Sequence, residues 1–154
     1  MESGIGEFLK ETLKNTSSLS KLQLEYNELG PLGAKEISLG LSLNYSLHSL
    51  NLKGNGIGDQ GTSYIASSLQ DCIQLRELDL SSNNISATGF AAICDVLPAC
   101  GLQTLVCNRN ILNDEVVIAF SQALGHPNVQ LKKFDLSSCR LNDISLVTLV
   151  KSLE

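Results

Sequence analysis

The sequence predicts an α/β solenoid: a curved horseshoe segment with parallel strands on its concave face and helices on its convex face. Three observations point there. The segments "LSKLQLEYNEL", "LHSLNLKGNGI", "LRELDLSSNNI", "LQTLVCNRNIL" and "LKKFDLSSCRL" share the template LxxLxLxxNxL and begin at residues 19, 47, 75, 102 and 131, at spacings of 28, 28, 27 and 29. Within each, LxLxx alternates with period two, as a half-buried strand does. After each, apolar residues return at multiples of four positions, as in Ile57, Ile65 and Leu69 or Ile85, Ile93 and Leu97, which suits one stripe of a helix.

Taken in order, residues 1–18 supply the helix of a partial repeat, with Leu9 and Leu13 on the helical columns, and five repeats follow within a single domain, 1–154. In each strand the fourth and sixth template positions face inward and the third, fifth and seventh face out. Helix starts fall on the column Gly30, Gly58, Ser86, Asn113 and Asn142, all types favoured at an N-cap. The next column reads Pro31, Asp59, Ala87, Asp114 and Asp143. Proline is at home where no amide donor is needed, and aspartate suits the positive end of the helix dipole. Gly33, Gly61 and Gly89 share a further column, expected to let each helix lie close to the sheet; Val116 and Ser145 depart from it. Strands lie ~4.8 Å apart and packed helices 8 to 10 Å, so stacking bends the array with strands inside. The last helical column of the fifth repeat falls on Leu153. Neither end carries the polar capping unit that repeat arrays need. The expectation is a segment of a longer array, or a short member that buries its ends against another surface.

The bulk numbers agree with a folded, soluble chain. At 154 residues a globule buries roughly 70% of the surface its unfolded chain exposes. With 43% hydrophobic and 18% charged residues, the composition is neither disordered nor membranous, and no apolar run approaches the ~20 residues of a spanning helix. A net charge of −5 without a basic cluster argues against nucleic acid as partner. The N-terminus, "MESGIGEFLKETLKNTSS", lacks a basic region followed by an apolar one, so a cytoplasmic location is expected. The sequons at Asn15, Asn44 and Asn84 are discounted on the same ground. Five cysteines, at 72, 94, 100, 107 and 139, contain no CxxC pair and form neither a disulfide framework nor a zinc site.

Five matches to one template in register resemble the leucine-rich repeat family, and the long period resembles its ribonuclease-inhibitor-like branch, in which a full helix follows each strand. The resemblance implies a non-enzymatic protein-interaction module or scaffold. Similar arrays occur in ribonuclease inhibitor, NOD-like receptors, tropomodulin-type actin cappers and the Ran GTPase-activating protein. The alternatives it leaves open are a GTPase-activating or regulatory accessory role, for which Arg109 is the one candidate side chain, and a structural role in a cytoskeletal or ciliary assembly.

Motifs of catalysis and cofactor binding yield to the repeat. "GIGDQG", residues 56–61, is literally G-x-G-x-x-G, follows a strand, and has Glu77 and Asp79 about 20 residues on, as a dinucleotide fingerprint requires. Yet its glycines fall on repeat columns, and a solenoid with every helix on one face has no topological switch point. Asp79 and Asp135 stand two strands apart, ~10 Å, beyond the 6.5 to 9.5 Å of an inverting carboxylate pair, with Val106 between them. His48 and His126 have no neighbours in sequence that complete a triad or ligand set. No catalytic residue, cofactor or metal site is expected.

The candidate partner-binding surface is the outward columns: Lys21, Gln23 and Glu25; Ser49, Asn51 and Lys53; Glu77, Asp79 and Ser81; Thr104, Val106 and Asn108; Lys133, Asp135 and Ser137. At its rim stand Tyr26 and Arg109, residue types that often anchor interfaces. Its floor measures on the order of 300 Å², against ~800 Å² per partner in a standard interface. The ninth position carries Asn27, Asn55, Asn83, Asn110 and Cys139, expected to form an inward structural ladder whose amides both donate to and accept from loop backbone. "DLSSCRLND" places a cysteine beside an arginine, the pattern of an activated thiol. On the template Cys139 is instead the last rung, a small buried stand-in, and Arg140 points to solvent.

Overall fold

The computed structural model describes residues 4–151; Leu153 and residues 1–3 of the expected first helix lie outside the described residues. Helix α1 (Gly4–Asn15) precedes five strand–helix units: β1 (Lys21–Gln23) and α2 (Gly30–Leu41), β2 (Ser49–Asn51) and α3 (Gly58–Leu69), β3 (Glu77–Asp79) and α4 (Ala87–Val96), β4 (Thr104–Val106) and α5 (Val116–Leu124), β5 (Lys133–Asp135) and α6 (Asp143–Lys151). The strands form one parallel sheet in chain order, β1-β2-β3-β4-β5. Their register is in step, with Leu22, Leu50, Leu78, Leu105 and Phe134 in one row. This is the α/β solenoid of the template, strands inside and helices outside.

The core fills the space between the two layers. Fourth- and sixth-position side chains Leu50, Leu52, Leu78, Leu80, Leu105 and Cys107 are buried, as are the helical columns Ile57, Ile65, Leu69, Ile85, Ile93 and Leu97. At the first strand, which has a neighbour on one side only, Leu22 and Leu24 are half-buried. Helix α4 stops at Val96 because Pro98 lacks an amide donor and its ring crowds the preceding turn; Leu97–Ala99 tighten into a 3₁₀ turn.

Two sequence expectations are corrected. Gly30 and Gly58 are the first residues of α2 and α3 rather than their caps, with φ of 61° and 57°. Only Ser86 and Asn142 cap as expected, Ser86 Oγ accepting from Thr88 N–H at 3.2 Å and Asn142 Oδ1 from Ser145 N–H at 2.9 Å. Asn113 instead serves the turn before α5, accepting from Glu115 N–H at 2.9 Å. At Gly61 and Gly89 the glycine column clears the preceding helix, and at Gly33 it clears Leu29 of its own loop, 2.8 Å from where a Cβ would stand; none of the three glycines meets a strand. A Cβ at Gly89 would stand 2.8 Å from the Asp59 Cα of α3, and one at Gly61 3.0 Å from the Ala34 Cβ of α2. Gly89→Ala is therefore expected to destabilise by about 1–3 kcal/mol, whereas Gly125→Ala, whose Cβ would meet nothing closer than 3.6 Å, changes thermal stability by less than about 0.5 kcal/mol.

Between strand and helix the chain alternates in handedness. The eighth position is left-handed in every repeat, at Tyr26, Gly54, Ser82, Arg109 and Ser138, and the tenth at Glu28, Gly56, Asn84 and Arg140. This alternation turns the N–H groups of positions nine and eleven the same way, toward the next repeat. Ile111 breaks it because a β-branched residue strongly resists positive φ; its N–H turns back to Ile85 C=O at 2.8 Å and forms a bridge with Ser86.

Candidate functional site: the concave face and its rim

The ninth-position side chains knit the loops beneath the concave face. Asn55 Oδ1 accepts Asn27 N–H at 2.9 Å and Leu29 N–H at 3.4 Å, Asn83 Oδ1 accepts Asn55 and Ile57 N–H at 2.9 and 3.3 Å, and Asn110 Oδ1 accepts Asn83 and Ile85 N–H at 2.9 and 3.1 Å. Their amide nitrogens donate backward, Asn83 Nδ2 to Leu52 C=O at 2.9 Å and Asn110 Nδ2 to Leu80 C=O at 3.0 Å. Each amide uses both its donor and its acceptor, which no single-function polar residue does. Asn27 differs from the inward expectation: it is exposed, and its side-chain amide donates to Glu25 C=O at 3.1 Å rather than to an earlier loop.

Cys139 is buried and donates from Sγ to Cys107 C=O at 3.1 Å. Burial pushes its thiol up, with the Asn110 backbone N–H opposing. Arg140 is exposed. Sulfur replaces the carbonyl-type oxygen that earlier rungs offer to two N–H groups, so Cys139→Asn is expected to raise stability by about 1 kcal/mol, read from urea denaturation. The other cysteines are buried too, and burial raises the thiols of Cys72, Cys94, Cys100 and Cys107, that of Cys94 to about 12. Alkylation at mildly alkaline pH is expected to follow global unfolding at Cys139; fast labelling of the folded chain there contradicts this geometry.

On the concave surface the in-register sheet sets Lys21, Ser49, Glu77, Thr104 and Lys133 in one row and Gln23, Asn51, Asp79, Val106 and Asp135 in the next. Fifth-position side chains hold seventh-position backbone: Asn51 Oδ1 accepts Lys53 N–H at 3.0 Å, Asp79 Oδ1 accepts Ser81 N–H at 2.8 Å, and Asp135 Oδ1 accepts Ser137 N–H at 2.9 Å. Two cross-strand bonds add to this, Asn51 Nδ2 to Glu25 Oε1 at 2.8 Å and Asn108 Nδ2 to Asp135 Oδ2 at 2.9 Å. Asp135 is held below the usual carboxylate range, first by Asn108 and then by Ser137. Asp79 and Asp135 are thus hydrogen-bonded acceptors with Val106 between them. The rows enclose a shallow depression of about 170 Å³ floored by Leu50 and Leu78.

The rim is less uniform than the columns imply. Ser81 does not present itself: it is buried, whereas Ser137 at the same position of the last repeat is exposed. Tyr26 is 65% exposed, its ring laid across Gly54 where a Cβ would collide with it, and Lys53 Nζ stands 5.7 Å from the ring centroid. Glycine at position 54 therefore serves the neighbouring tyrosine as well as its own φ of 68°. Arg109 stands exposed at the far rim, its N–H bound to Ser137 C=O at 3.0 Å.

A second ladder, at the helix starts, is not evident from the template. Asp59 accepts Ser86 N–H at 2.7 Å and Ser86 Oγ–H at 2.6 Å, and Asp114 accepts Asn142 N–H at 2.8 Å and Nδ2 at 2.7 Å. Its signal in the sequence is an aspartate one column past a serine or asparagine of the next repeat. It also disposes of "GIGDQG" as a phosphate cradle, since the Asp59 carboxylate sits in the first turn of α3 and Gly58 N–H is bound to Asn83 C=O at 2.9 Å. The Asn142 backbone bond first, then Ser145, lowers the Asp114 pKa. A depressed folded-state carboxylate contributes stability above the unfolded value of about 3.9 and loses it as pH falls through the folded one. Acid unfolding is accordingly expected to begin below about pH 4, with a shallower pH slope in Asp114→Asn.

His48 Nδ1 lies 2.7 Å from Ser46 C=O, and His126 Nδ1 accepts Asn128 N–H at 3.2 Å, both local contacts. The Asn44 sequon is buried, its Nδ2 bound to Leu13 C=O at 2.7 Å. No helix among the described residues is long and apolar enough to cross a membrane.

With strands, helices and asparagine rungs in place, the chain is a leucine-rich repeat solenoid, similar to the leucine-rich repeat family. The family model matches residues 16–38, 43–66 and 72–94. The fourth and fifth repeats, where Cys107, Ile111 and Cys139 depart from the template, lie beyond these matches. Among solved structures, leiomodin-1 actin-binding site 2 is similar, with a TM-score of 0.80 at 19% identity over 97% of this chain and 88% of that one. The tropomodulin C-terminal domain of Caenorhabditis elegans is similar too, with a TM-score of 0.77 at 13% identity over 96% of this chain and 90% of that one. At these identities the likeness is one of fold. No curated protein sequence matches the chain.

Proposed function

We propose that the chain is a non-enzymatic, cytoplasmic protein-interaction module that presents its concave strand face and adjoining loops to a protein partner. The observation that carries this reading is the rim pair: an exposed tyrosine held flat on Gly54 beside Lys53, next to a face whose polar side chains are already fixed by Asn51, Asp79 and Asp135. Such prearranged aromatic and cationic groups lose little freedom on binding. Because the floor is on the order of 300 Å² and a stable interface needs ~800 Å² per partner, the partner engages the loops around Tyr26 and Arg109 as well as the floor.

Leiomodin-1's similar domain is described as an actin-binding site, which makes actin the first partner to test and favours the cytoskeletal reading. Binding of purified actin to the full chain, followed by fluorescence anisotropy, is expected to weaken about tenfold or more in Tyr26→Ala, while Gln122→Ala on the helical face leaves it unchanged. Binding that Tyr26→Ala and Lys53→Ala leave intact overturns the assignment of this face. Small GTPases are expected to hydrolyse GTP at the same rate with and without the chain; acceleration abolished by Arg109→Ala overturns the non-enzymatic reading.

A further inference from the structure

At the centre of the concave face, β3 carries a file of acceptors that its neighbours leave unused. In-register pairing sets Ser49 and Thr104 on either side of Glu77, and Asn51 and Val106 on either side of Asp79. The two amides nearest this strand both donate away from it, Asn51 Nδ2 to Glu25 Oε1 at 2.8 Å and Asn108 Nδ2 to Asp135 Oδ2 at 2.9 Å. Asp79 Oδ1 is taken by Ser81 N–H at 2.8 Å, which fixes the carboxylate. Among the described residues, Asp79 Oδ2 and the exposed carboxylate of Glu77 have neither a hydrogen-bond donor nor an ion-pair partner. Ser81, the next residue of the file, is buried, and its Oγ has no hydrogen-bond partner either. Lys21 and Lys133 share the row of Glu77 but stand two strands off, ~10 Å away.

The same neighbours make room. Ser49, Thr104 and Val106 are short, and the depression of about 170 Å³ has Glu77 and Asp79 among its walls with the methyl groups of Thr104 and Val106 to one side. A long side chain with an aliphatic stem and a cationic head matches both parts, the stem covering methyl groups while the head meets carboxylate. Outward side chains two residues apart on a strand stand ~6.6 Å from one another. A guanidinium carries donors on opposite edges and reaches both carboxylates, whereas an ammonium is a point donor.

We propose that this depression receives an arginine side chain of the protein partner, held between Glu77 and Asp79 Oδ2. The proposal rests on the concave face as the partner-binding surface and adds what the partner brings to it. A partner that covers the face without a cation at this point leaves two carboxylates desolvated and unpaired, which selects against it. The net charge of −5 draws a basic surface toward the chain from a distance.

Titration of the isotopically labelled full chain with N-acetyl-arginine amide, followed by backbone amide chemical shifts, tests this. Saturable shifts are expected at Glu77, Asp79 and Thr104, with weaker binding of N-acetyl-lysine amide and none of the uncharged citrulline analogue. Glu77→Gln, at an exposed side chain without bonds of its own, weakens arginine binding about threefold or more. Ser49→Arg sets an arginine of the chain itself beside Glu77 and displaces the probe. Equal shifts with the citrulline analogue, or arginine shifts that fail to saturate and scatter over the exposed Glu11, Asp71 and Asp95, overturn the proposal. The actin measurement separates it from the reading it rests on, with Glu77→Gln and Ser49→Arg each expected to weaken actin binding about threefold or more. Actin binding lost in Tyr26→Ala but indifferent to both variants keeps the concave face and overturns the arginine anchor. Saturable arginine binding at Glu77 in a chain whose actin binding ignores Tyr26→Ala supports the arginine site and overturns the assignment of the face.

Discussion

Asn83→Ala is expected to lower the unfolding free energy by about 3–5 kcal/mol, a larger loss than any surface change produces. The side chain is buried and meets four backbone groups: Oδ1 takes Asn55 and Ile57 N–H, and Nδ2 gives to Leu52 and Ser81 C=O. Alanine leaves the Asn55 and Ile57 N–H groups without a partner, whereas Leu52 C=O keeps Asn55 Nδ2 and Ser81 C=O keeps Gly54 N–H; each orphan costs about 1–3 kcal/mol, and the loss of the two donated bonds adds to it. For a chain of this size the loss corresponds to a fall in Tm of about 10 °C. Asn83→Asp is no remedy, since it keeps the acceptor but removes both donors and buries a charge. Asn27→Ala is the internal control: exposed, with a single weak donor contact, it is expected to cost less than about 1 kcal/mol. Far-UV circular dichroism in urea, the chain having no tryptophan, reads both. Equal effects at Asn27 and Asn83 contradict the ladder as a source of stability.

Phe120→Ala is expected to cost about 3–5 kcal/mol and to loosen the C-terminal units first. Phe120 is fully buried and sits edge-on between two other rings, Phe90 at 5.2 Å and Phe134 at 5.1 Å between centroids. It occupies the helical column that Ile37, Ile65 and Ile93 fill in earlier repeats, and its extra volume reaches across to β5. Phe134 is only partly buried, so the last strand depends on this contact more than inner strands depend on theirs. In a solenoid each unit is stabilised by its neighbours alone. Truncation at Phe120 is therefore expected to split unfolding into two phases, with amide exchange accelerated in residues 131–151 and unchanged in α2 and α3. Phe120→Leu restores most of the volume and costs less than about 1.5 kcal/mol. A single cooperative transition with uniformly raised exchange contradicts this account.

Strand positions and the inward column were legible because the template repeats. Leucine at positions four and six and asparagine at nine recur at a spacing that only a stacked array satisfies, and Leu50, Leu78 and Asn83 are buried accordingly. What a repeat does not encode is the relation between unequal neighbours. Nothing in "LGPLG" or "GTSYI" alone says that Gly61 must clear Ala34 of the preceding helix. The Asp59 to Ser86 and Asp114 to Asn142 bonds join adjacent repeats through residues 27 and 28 positions apart, and the shared template carries neither pair. Tyr26 was visible as a residue type, but its seat on Gly54 belongs to the strand pairing. Ser81 shows the converse: period two assigns it outward, yet among inner strands it is buried while Ser137 at the last strand is exposed.

The concave face as the binding surface is tested most directly by photo-crosslinking from defined positions. A photoreactive residue is placed at Gln23 or Thr104 on the strands, or at Ser67 or Gln122 on the helices, in the full chain added to extract of its native cells. Gln23 and Thr104 are expected to label one protein in common, with labelling competed by unmodified chain and lost in Tyr26→Ala, while Ser67 and Gln122 label none. Equal labelling from the helical positions, or none from the strands, contradicts the concave face as the site of partner binding.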